Sequence, residues 1–153
     1  MSATAFADEL EREKARQRTY DAMQRKARAG HVTGGRVFGY ENVEIRLADG
    51  SRSHVERRIV EAEAAVVRRI FDLAAEGVGV RRLARLLNDE GAIAPRAQQG
   101  RPVAWAPSSV FAVLQRELYR GVVIWNQSRK RDSWGQARRS ERDQGEWIRL
   151  EAP

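Results

Sequence analysis

The chain has 153 residues, of which 42% are hydrophobic and 7% aromatic, and 28 Lys and Arg against 21 Asp and Glu leave a net charge of +7. No stretch approaches the roughly 20 apolar residues of a membrane-spanning helix, and no secretory signal opens the chain, which argues against membrane and secreted proteins. The absence of cysteine excludes disulfides, thiolate zinc sites and cysteine nucleophiles within this sequence. The basic balance predicts a cytoplasmic protein that binds a polyanion.

The first predicted element is one long helix over residues 4–29. The segment contains neither Gly nor Pro before Gly30, and it is rich in Ala, Glu, Arg and Lys. A helix that is polar over most of its surface needs a partner to hold it in place. Two alternatives therefore stay open, a frayed helical arm or a helix that associates with another chain. The large members of its thin apolar face are Phe6, Leu10, Tyr20 and Met23.

An irregular connector and a small hairpin follow the helix. Residues 30–35 are rich in glycine, which predicts a flexible connection. Apolar and polar residues then alternate over 43–47, a turn signal stands at Asp49-Gly50, and a weaker strand is predicted over 55–60.

Three helices are predicted between residues 61 and 118. The first ends at the glycines at 77 and 79, the second ends over 88–91, and the third begins at Pro107 because proline is favoured in a first helical turn. The residues predicted to face the core are Val66, Ile70, Leu73, Ala74, Leu83, Leu86, Leu87, Val110, Phe111, Leu114 and Leu118.

The other side of the third helix is the candidate DNA-reading surface. Short polar side chains there fit base edges, and arginines at its flanks fit phosphates. The alternative is an ordinary solvated helix face. The second and third helices resemble a helix-turn-helix, but residues 91–106 make a connection far longer than the usual turn of about 3–4 residues. The residues concerned are Ser108, Ser109, Ala112, Gln115 and Arg116 on the helix, with Arg101 and Arg120 at its flanks.

The residue pattern of the C-terminal part predicts two paired strands with a basic loop between them. Residues 122–125 form a short apolar strand, and a closing strand over 146–150 is expected to pair with it. The tract 126–145 between them is predicted to be a mobile loop. Residues 95–153 hold eleven basic and six acidic side chains, and this net charge of +5 includes Arg129, Lys130 and Arg131.

No active site is predicted from the residues. The two histidines, His31 and His54, lie far apart in the sequence, so a metal site is not expected. There is no glycine-rich loop followed by Lys-Ser or Lys-Thr, and no serine has a nearby His or Lys arranged to activate it. The sequence therefore predicts no cofactor.

Short motifs in a fixed order resemble the large serine recombinases. The early ones resemble the junction after that family's catalytic domain, the middle ones its recombinase domain, and the last one the tail before its zinc ribbon. Each motif alone is weak, and their order over about 120 residues makes the resemblance specific. The matching segments are RKARAG at 25–30, 34–35, 38–40, 66–73 with 76–77, LARLLNDEG at 83–91, 95–96, 105 with PSSV at 107–110, LYRG at 118–121 and EWI at 146–148.

The resemblance implies a fold, a division of the chain into three segments and a function without catalysis. The expected fold is α+β and mostly helical, with a long N-terminal helix, a small β-hairpin, a three-helix helix-turn-helix-like core and a C-terminal β-hairpin. Residues 1–29 would be a linker helix, 30–130 the DNA-binding domain, and 131–153 a basic loop and closing strand leading toward a missing zinc ribbon. The family's nucleophilic serine belongs to a domain that would precede Phe6, so this chain is expected not to be an enzyme and no serine here inherits that role.

The resemblance also implies contacts with double-stranded DNA in a bacterial or phage protein. The connector 30–35 would cross the minor groove, and the helix from Pro107 would enter the major groove. Two other functions stay open, a stand-alone helix-turn-helix regulator and a protein-interaction module that self-associates through 4–29. The expected DNA-contacting residues are Arg28, His31, Thr33, Arg36, Arg101, Ser108, Ser109, Ala112, Gln115, Arg116, Arg120, Arg129, Lys130 and Arg131.

Overall fold

The computed structural model describes residues 3–95, 103–130 and 136–152. Over these residues the fold is α+β and mostly helical, as the sequence predicts, with four α-helices and small two-stranded sheets. The chain divides into two compact units. The first unit comprises 1–34, 44–56 and 124–150, and the second unit comprises 35–43, 57–123 and 151–153.

Helix α1 (Ala3–Arg28) confirms the predicted N-terminal helix of the first unit. Gly30 ends it with φ of +77°, donating its N–H to Ala27 O at 2.9 Å while the N–H of His31 bonds to Lys26 O at 3.0 Å, the two bonds of a Schellman motif. The apolar face is indeed thin, since Phe6 is 68% exposed. The C-terminal half of the helix is anchored, since the ring of Tyr20 lies 5.5 Å from that of Trp125 and Ala27 is buried.

Strands β1 (Tyr40–Arg46) and β2 (Arg52–Ile59) form the predicted hairpin. The turn is where the sequence predicts it, with Gly50 at φ of +81° and Asp49 accepting hydrogen bonds from the N–H and Oγ of Ser51. Both strands begin three residues earlier than predicted. Polar cross-strand pairs extend the ladder beyond the apolar alternation that sequence reading uses, for example Arg58 with Glu41 at 3.7 Å.

Helices α2 (Glu61–Ala75), α3 (Val80–Asp89) and α4 (Pro107–Gln115) pack around the core of the second unit. The indole of Trp105 seals this core just before α4 begins, with Phe38 edge-on at 5.4 Å between ring centroids and its Nε1–H donated to Ile93 O at 3.0 Å. The buried members of this cluster are Val67, Ile70, Leu83, Ala84, Leu87, Trp105, Val110 and Val113.

Two sequence expectations about α4 are wrong. The helix ends at Gln115 rather than 118, because Arg116 turns to an extended backbone with ψ of 113° and a 3-10 turn, Glu117–Arg120, carries the buried Leu118 instead. Phe111, expected in the core, is 56% exposed. The buried residues of α4 are Val110 and Val113, and Phe111 lies on the other side of the helix.

The C-terminal strands confirm one prediction and correct another. Strand β3 (Val122–Trp125) pairs with β6 (Ile148–Glu151), close to the expected strand pair. The tract between them is not simply a loop. Strands β4 (Ser128–Arg129) and β5 (Ser140–Glu141) pair antiparallel within it, and a 3-10 turn spans Gln144–Glu146.

Candidate nucleic-acid interface

Helix α4 presents one continuous exposed face. Ser108, Phe111, Ala112 and Gln115 are spaced at i, i+3, i+4 and i+7, and all four are exposed. Residues at this spacing lie on one side of a helix. We call these four residues the reading face.

The side of α4 opposite the reading face is packed against the core. Val110 is fully buried, and Val113 is 6% exposed, so both hold the helix against α2 and α3. Pro107 stands in the first turn, and the residue before it, Ala106, makes no side-chain capping bond, in keeping with the weak cap that its side chain predicts. The face is therefore fixed in place by apolar packing rather than by its own side chains.

Three of the predicted base-reading residues lie on this face, and two do not. Ser108, Ala112 and Gln115 are members. Ser109 is half-buried, and Arg116 lies beyond the last helical residue on an extended backbone.

Phe111 is the member of the reading face that sequence reasoning missed. An apolar residue beside Val110 in a short amphipathic helix fits either the core or its border, so hydrophobic periodicity gave no reason to place it outside. The signal that could have found it is spacing, because Phe111 shares the i, i+3, i+4 pattern of Ser108 and Ala112, which were already assigned outward.

The predicted phosphate-binding residues of the second unit differ in their surroundings. Arg36 pairs with Glu63, whose other oxygen accepts the N–H of Gly39 at 2.7 Å, so its charge is already compensated. Arg120 is exposed and only reaches Leu114 O, at 3.4 Å.

The predicted residues of the first unit lie near the end of α1 and in the C-terminal strands. Arg28 is exposed at the end of the helix, while His31 and Thr33 are half-buried. Arg129 in β4 and the adjacent Lys130 are both exposed. Arg101 and Arg131 lie outside the described residues.

The two histidines meet in the structure despite their separation in sequence. The His31 and His54 rings stack with centroids 4.1 Å apart, and the neighbouring Val32 N–H donates to Val55 O at 2.9 Å. The start of the connector is therefore attached to β2 rather than free. Within the part of the chain that the structure describes, no group of three His, Cys, Asp or Glu side chains could hold a metal ion.

Tyr119 ties the 3-10 turn after α4 to the segment before β1. Its Oη donates to Phe38 O at 2.7 Å. Burial raises the pKa of Tyr119 to about 12; the smaller influence of Arg116 lowers this pKa, and those of Tyr40 and Glu63 raise it. The hydroxyl therefore remains protonated at neutral pH and keeps its donor role.

The comparison with protein families matches the Recombinase model to residues 61–153, more than half of the chain. The segment covers α2, α3, α4 and the C-terminal strands. The protein belongs to the Recombinase family, and this membership supports a role in site-specific recombination. No curated protein and no solved structure matches the chain. Among the described helices, none combines the length and the apolar character required to cross a bilayer.

Proposed function

We propose that this chain recognises the DNA site on which a site-specific recombinase acts, with α4 inserted in the major groove. The observation that carries the proposal is the reading face, a row of small and polar side chains plus one aromatic on a helix whose back is fully packed. The family match over the same residues supports a partner that is DNA. It also makes a stand-alone regulator the weaker alternative.

The side chains of the reading face suit base edges. The major groove of B-DNA admits an α-helix, a glutamine forms two hydrogen bonds with adenine, and a serine bonds to several bases. Gln115 and Ser108 are assigned these contacts. Phe111 and Ala112 are assigned apolar contact with thymine methyl groups, which only the major groove displays.

Exposed cations are assigned to the phosphates. Arg120 from the second unit and Arg28, Arg129 and Lys130 from the first are all exposed. No ion pair engages them within the described residues. In this proposal residues 1–29 are a linker helix, 30–130 the DNA-binding domain and 131–153 its basic extension, with the connector 30–35 crossing the minor groove. Strand cleavage is assigned to a catalytic serine domain, as the family resemblance implies, and not to this chain.

The test is a selection of bound duplexes from a random pool, followed by affinity measurements with variants of the full chain. Gln115→Ala should narrow the affinity gap between selected and random DNA by roughly tenfold, since a bidentate base contact is worth about 1–3 kcal/mol. Gln17→Ala, which changes an exposed glutamine of α1 bonded to Asp21, is the matched control and should leave the gap unchanged. A pool that yields no preferred sequence would refute site recognition.

A second candidate function, self-association through α1, is favoured by an apolar surface on that helix. Phe6 and Leu10 are 68% and 47% exposed. An open cavity of about 500 Å³ also lies along the helix, where Tyr20, Met23 and Trp125 meet. Sedimentation of Phe6→Glu/Leu10→Glu beside the unchanged chain tests it, and identical monomeric masses for both proteins would exclude self-association by this face.

A further inference from the structure

The exposed side of α3 carries three arginines. Arg81, Arg82 and Arg85 are all exposed, and they point away from the core that Leu83 and Leu87 enter. Because Arg85 follows the other two by four and three residues, the three side chains are neighbours on the helix surface. We call these three residues the arginine row. Across residues 3–95, 103–130 and 136–152, no carboxylate pairs with any of them.

The neighbouring helix α2 treats its cations differently. Arg68 donates from Nη1 to Glu61 Oε1 at 2.6 Å, and Arg69 donates from Nε to Glu90 Oε2 at 2.9 Å. Both of these exposed arginines are thus compensated. The acidic residue within α3, Asp89, is exposed and forms no ion pair with the described residues. The arginine row is therefore a cationic surface that the fold itself leaves uncompensated.

The arginine row does not stabilise α3. Arg81 and Arg82 stand in its first turn, where the helix dipole favours acidic side chains, and that turn contains none. Like charges one turn apart also weaken an isolated helix. The helix is held by packing instead, since Leu83 and Leu87 are fully buried. A binding role accounts for three arginines at these positions better than helix stability does.

Helix α3 is fixed beside the helix that carries the reading face. Leu87 of α3 and Val110 of α4 belong to one buried cluster. The side chain of Asn88 hydrogen-bonds to the backbone of Trp105, which places the end of α3 at the beginning of α4 despite the long connection. In a helix-turn-helix, the second helix lies in the major groove while the first crosses the DNA backbone. With α4 in the groove, the same arrangement brings α3 to the phosphates.

We propose that the arginine row binds phosphates of the DNA strand that borders the major groove entered by α4. The inference rests on the proposed function and adds to it a contact surface that sequence analysis left out. Guanidinium groups suit phosphates because their planar donors bind two oxygens at once. From Arg81 to Arg85 the helix rises about 6 Å. One strand of B-DNA carries a phosphate about every 3.4 Å along its axis, so the row is long enough to reach two phosphates.

The test compares the unchanged full chain with Arg81→Gln/Arg82→Gln/Arg85→Gln, the row variant. Glutamine has nearly the helix propensity of arginine without its charge. Affinity for a random duplex should fall about sixtyfold at 0.1 M salt, and the slope of log K against log salt should become shallower by about 1.8, the values for two phosphate contacts. Affinity for the selected duplex should fall equally, since phosphate contacts carry no sequence information.

Arg12→Gln/Lys14→Gln/Arg16→Gln is the matched control. It removes the same number of charges from exposed positions of α1, where each cation lies 3.1–3.9 Å from a glutamate three residues earlier. Its slope should equal that of the unchanged chain, and an equally shallow slope in both variants would overturn the inference by making net charge the cause. The row variant should denature at no lower urea concentration than the unchanged chain. A lower midpoint together with weaker binding would indicate a structural role and would also overturn the inference.

The remaining outcomes are distinct. An unchanged slope in the row variant, when the unchanged chain still selects a preferred sequence, overturns the inference and leaves site recognition standing. A narrower gap between selected and random DNA would mean base contacts and would overturn the assignment to phosphates. Retention of the unchanged chain but not the row variant on immobilised poly-L-glutamate, with equal DNA affinities, would identify an acidic protein surface as the partner instead. Failure of the unchanged chain to select any sequence would refute the proposed function.

Discussion

The side-chain amide of Asn88 forms two hydrogen bonds with the backbone of Trp105. Its Oδ1 accepts from the N–H of Trp105 at 2.8 Å, and its Nδ2 donates to the carbonyl oxygen at 2.9 Å. Asn88 stands in the last turn of α3, and Trp105 comes just before α4. The pair therefore joins the two ends of the long connection between these helices and sets where the reading face begins.

Asn88→Ala should lower the free energy of unfolding by about 1–3 kcal/mol, because it leaves the N–H and carbonyl of the buried Trp105 without their partner. Asn88→Asp retains the acceptor but not the donor, so its free energy of unfolding should lie between those of Asn88→Ala and the unchanged chain. Urea denaturation measures both. Asp89→Ala, the exposed neighbour, should stay within about 0.5 kcal/mol of the unchanged chain. Equal stabilities for Asn88→Ala and Asp89→Ala would show that the two hydrogen bonds contribute nothing.

Phe111→Ala should leave stability nearly unchanged, within about 0.5 kcal/mol, because its side chain is largely exposed. Leu87→Ala changes a fully buried position of α3 and should lower the free energy of unfolding by about 2–5 kcal/mol.

The role of Phe111 in DNA binding is tested by replacing thymines of the selected site with deoxyuridine, which removes only the methyl group. Weaker binding of the unchanged chain to one such duplex, with no effect on Phe111→Ala, is the expected result. An equal effect on both proteins would contradict the methyl contact.

DNA affinity should depend steeply on salt. About four to six phosphate contacts give a slope of log K against log salt near −4 to −5. Replacing Arg129, Lys130 and Arg131 together with glutamine should flatten that slope while the preference for the selected site persists, since phosphate contacts carry no sequence information. Titrations at several salt concentrations with selected and random duplexes decide this. If the triple variant kept the same slope of log K against log salt, these three residues would not contact phosphates.

Alkaline pH should reduce stability through Tyr119. Because its pKa is raised to about 12 in the folded chain and lies near 10 when unfolded, the unfolded state loses the proton first. The free energy of unfolding then falls as pH rises from about 10 to 12, and it is unaffected below that window. Tyr119→Phe should be less stable at pH 8 because Phe38 O loses its donor, and its stability should decline less between pH 8 and 11. Urea denaturation measures both free energies of unfolding. If they declined equally between pH 8 and 11, Tyr119 would not be the cause of the alkaline loss of stability.

We expect that the purified chain neither nicks nor relaxes supercoiled plasmid DNA, because the family resemblance assigns the nucleophilic serine to a separate catalytic domain. Gel electrophoresis after prolonged incubation is the measurement. Cleavage that disappears when one of the chain's own serines is changed to alanine would overturn this expectation.

Several elements followed from local signals in the sequence. The end of α1 at Gly30 and the turn at Asp49-Gly50 need a left-handed backbone that glycine adopts readily, so the residue type alone located them. The helices α2 and α3 followed from apolar residues recurring at helical spacing, and the pairing of β3 with β6 from two short apolar runs. The small and polar members of the reading face were predicted by the same periodicity.

What the sequence by itself determined, then, is the order and type of the α-helices and of strands β1, β2, β3 and β6, together with the small and polar members of the reading face, because these depend on residues within a turn or two of one another. The tertiary structure alone decided the end of α4 at Gln115, the pairing of β4 with β5 and the stacking of His31 on His54. Each of these depends on residues distant in the chain that packing brings together, and such packing leaves no periodic trace in the local sequence.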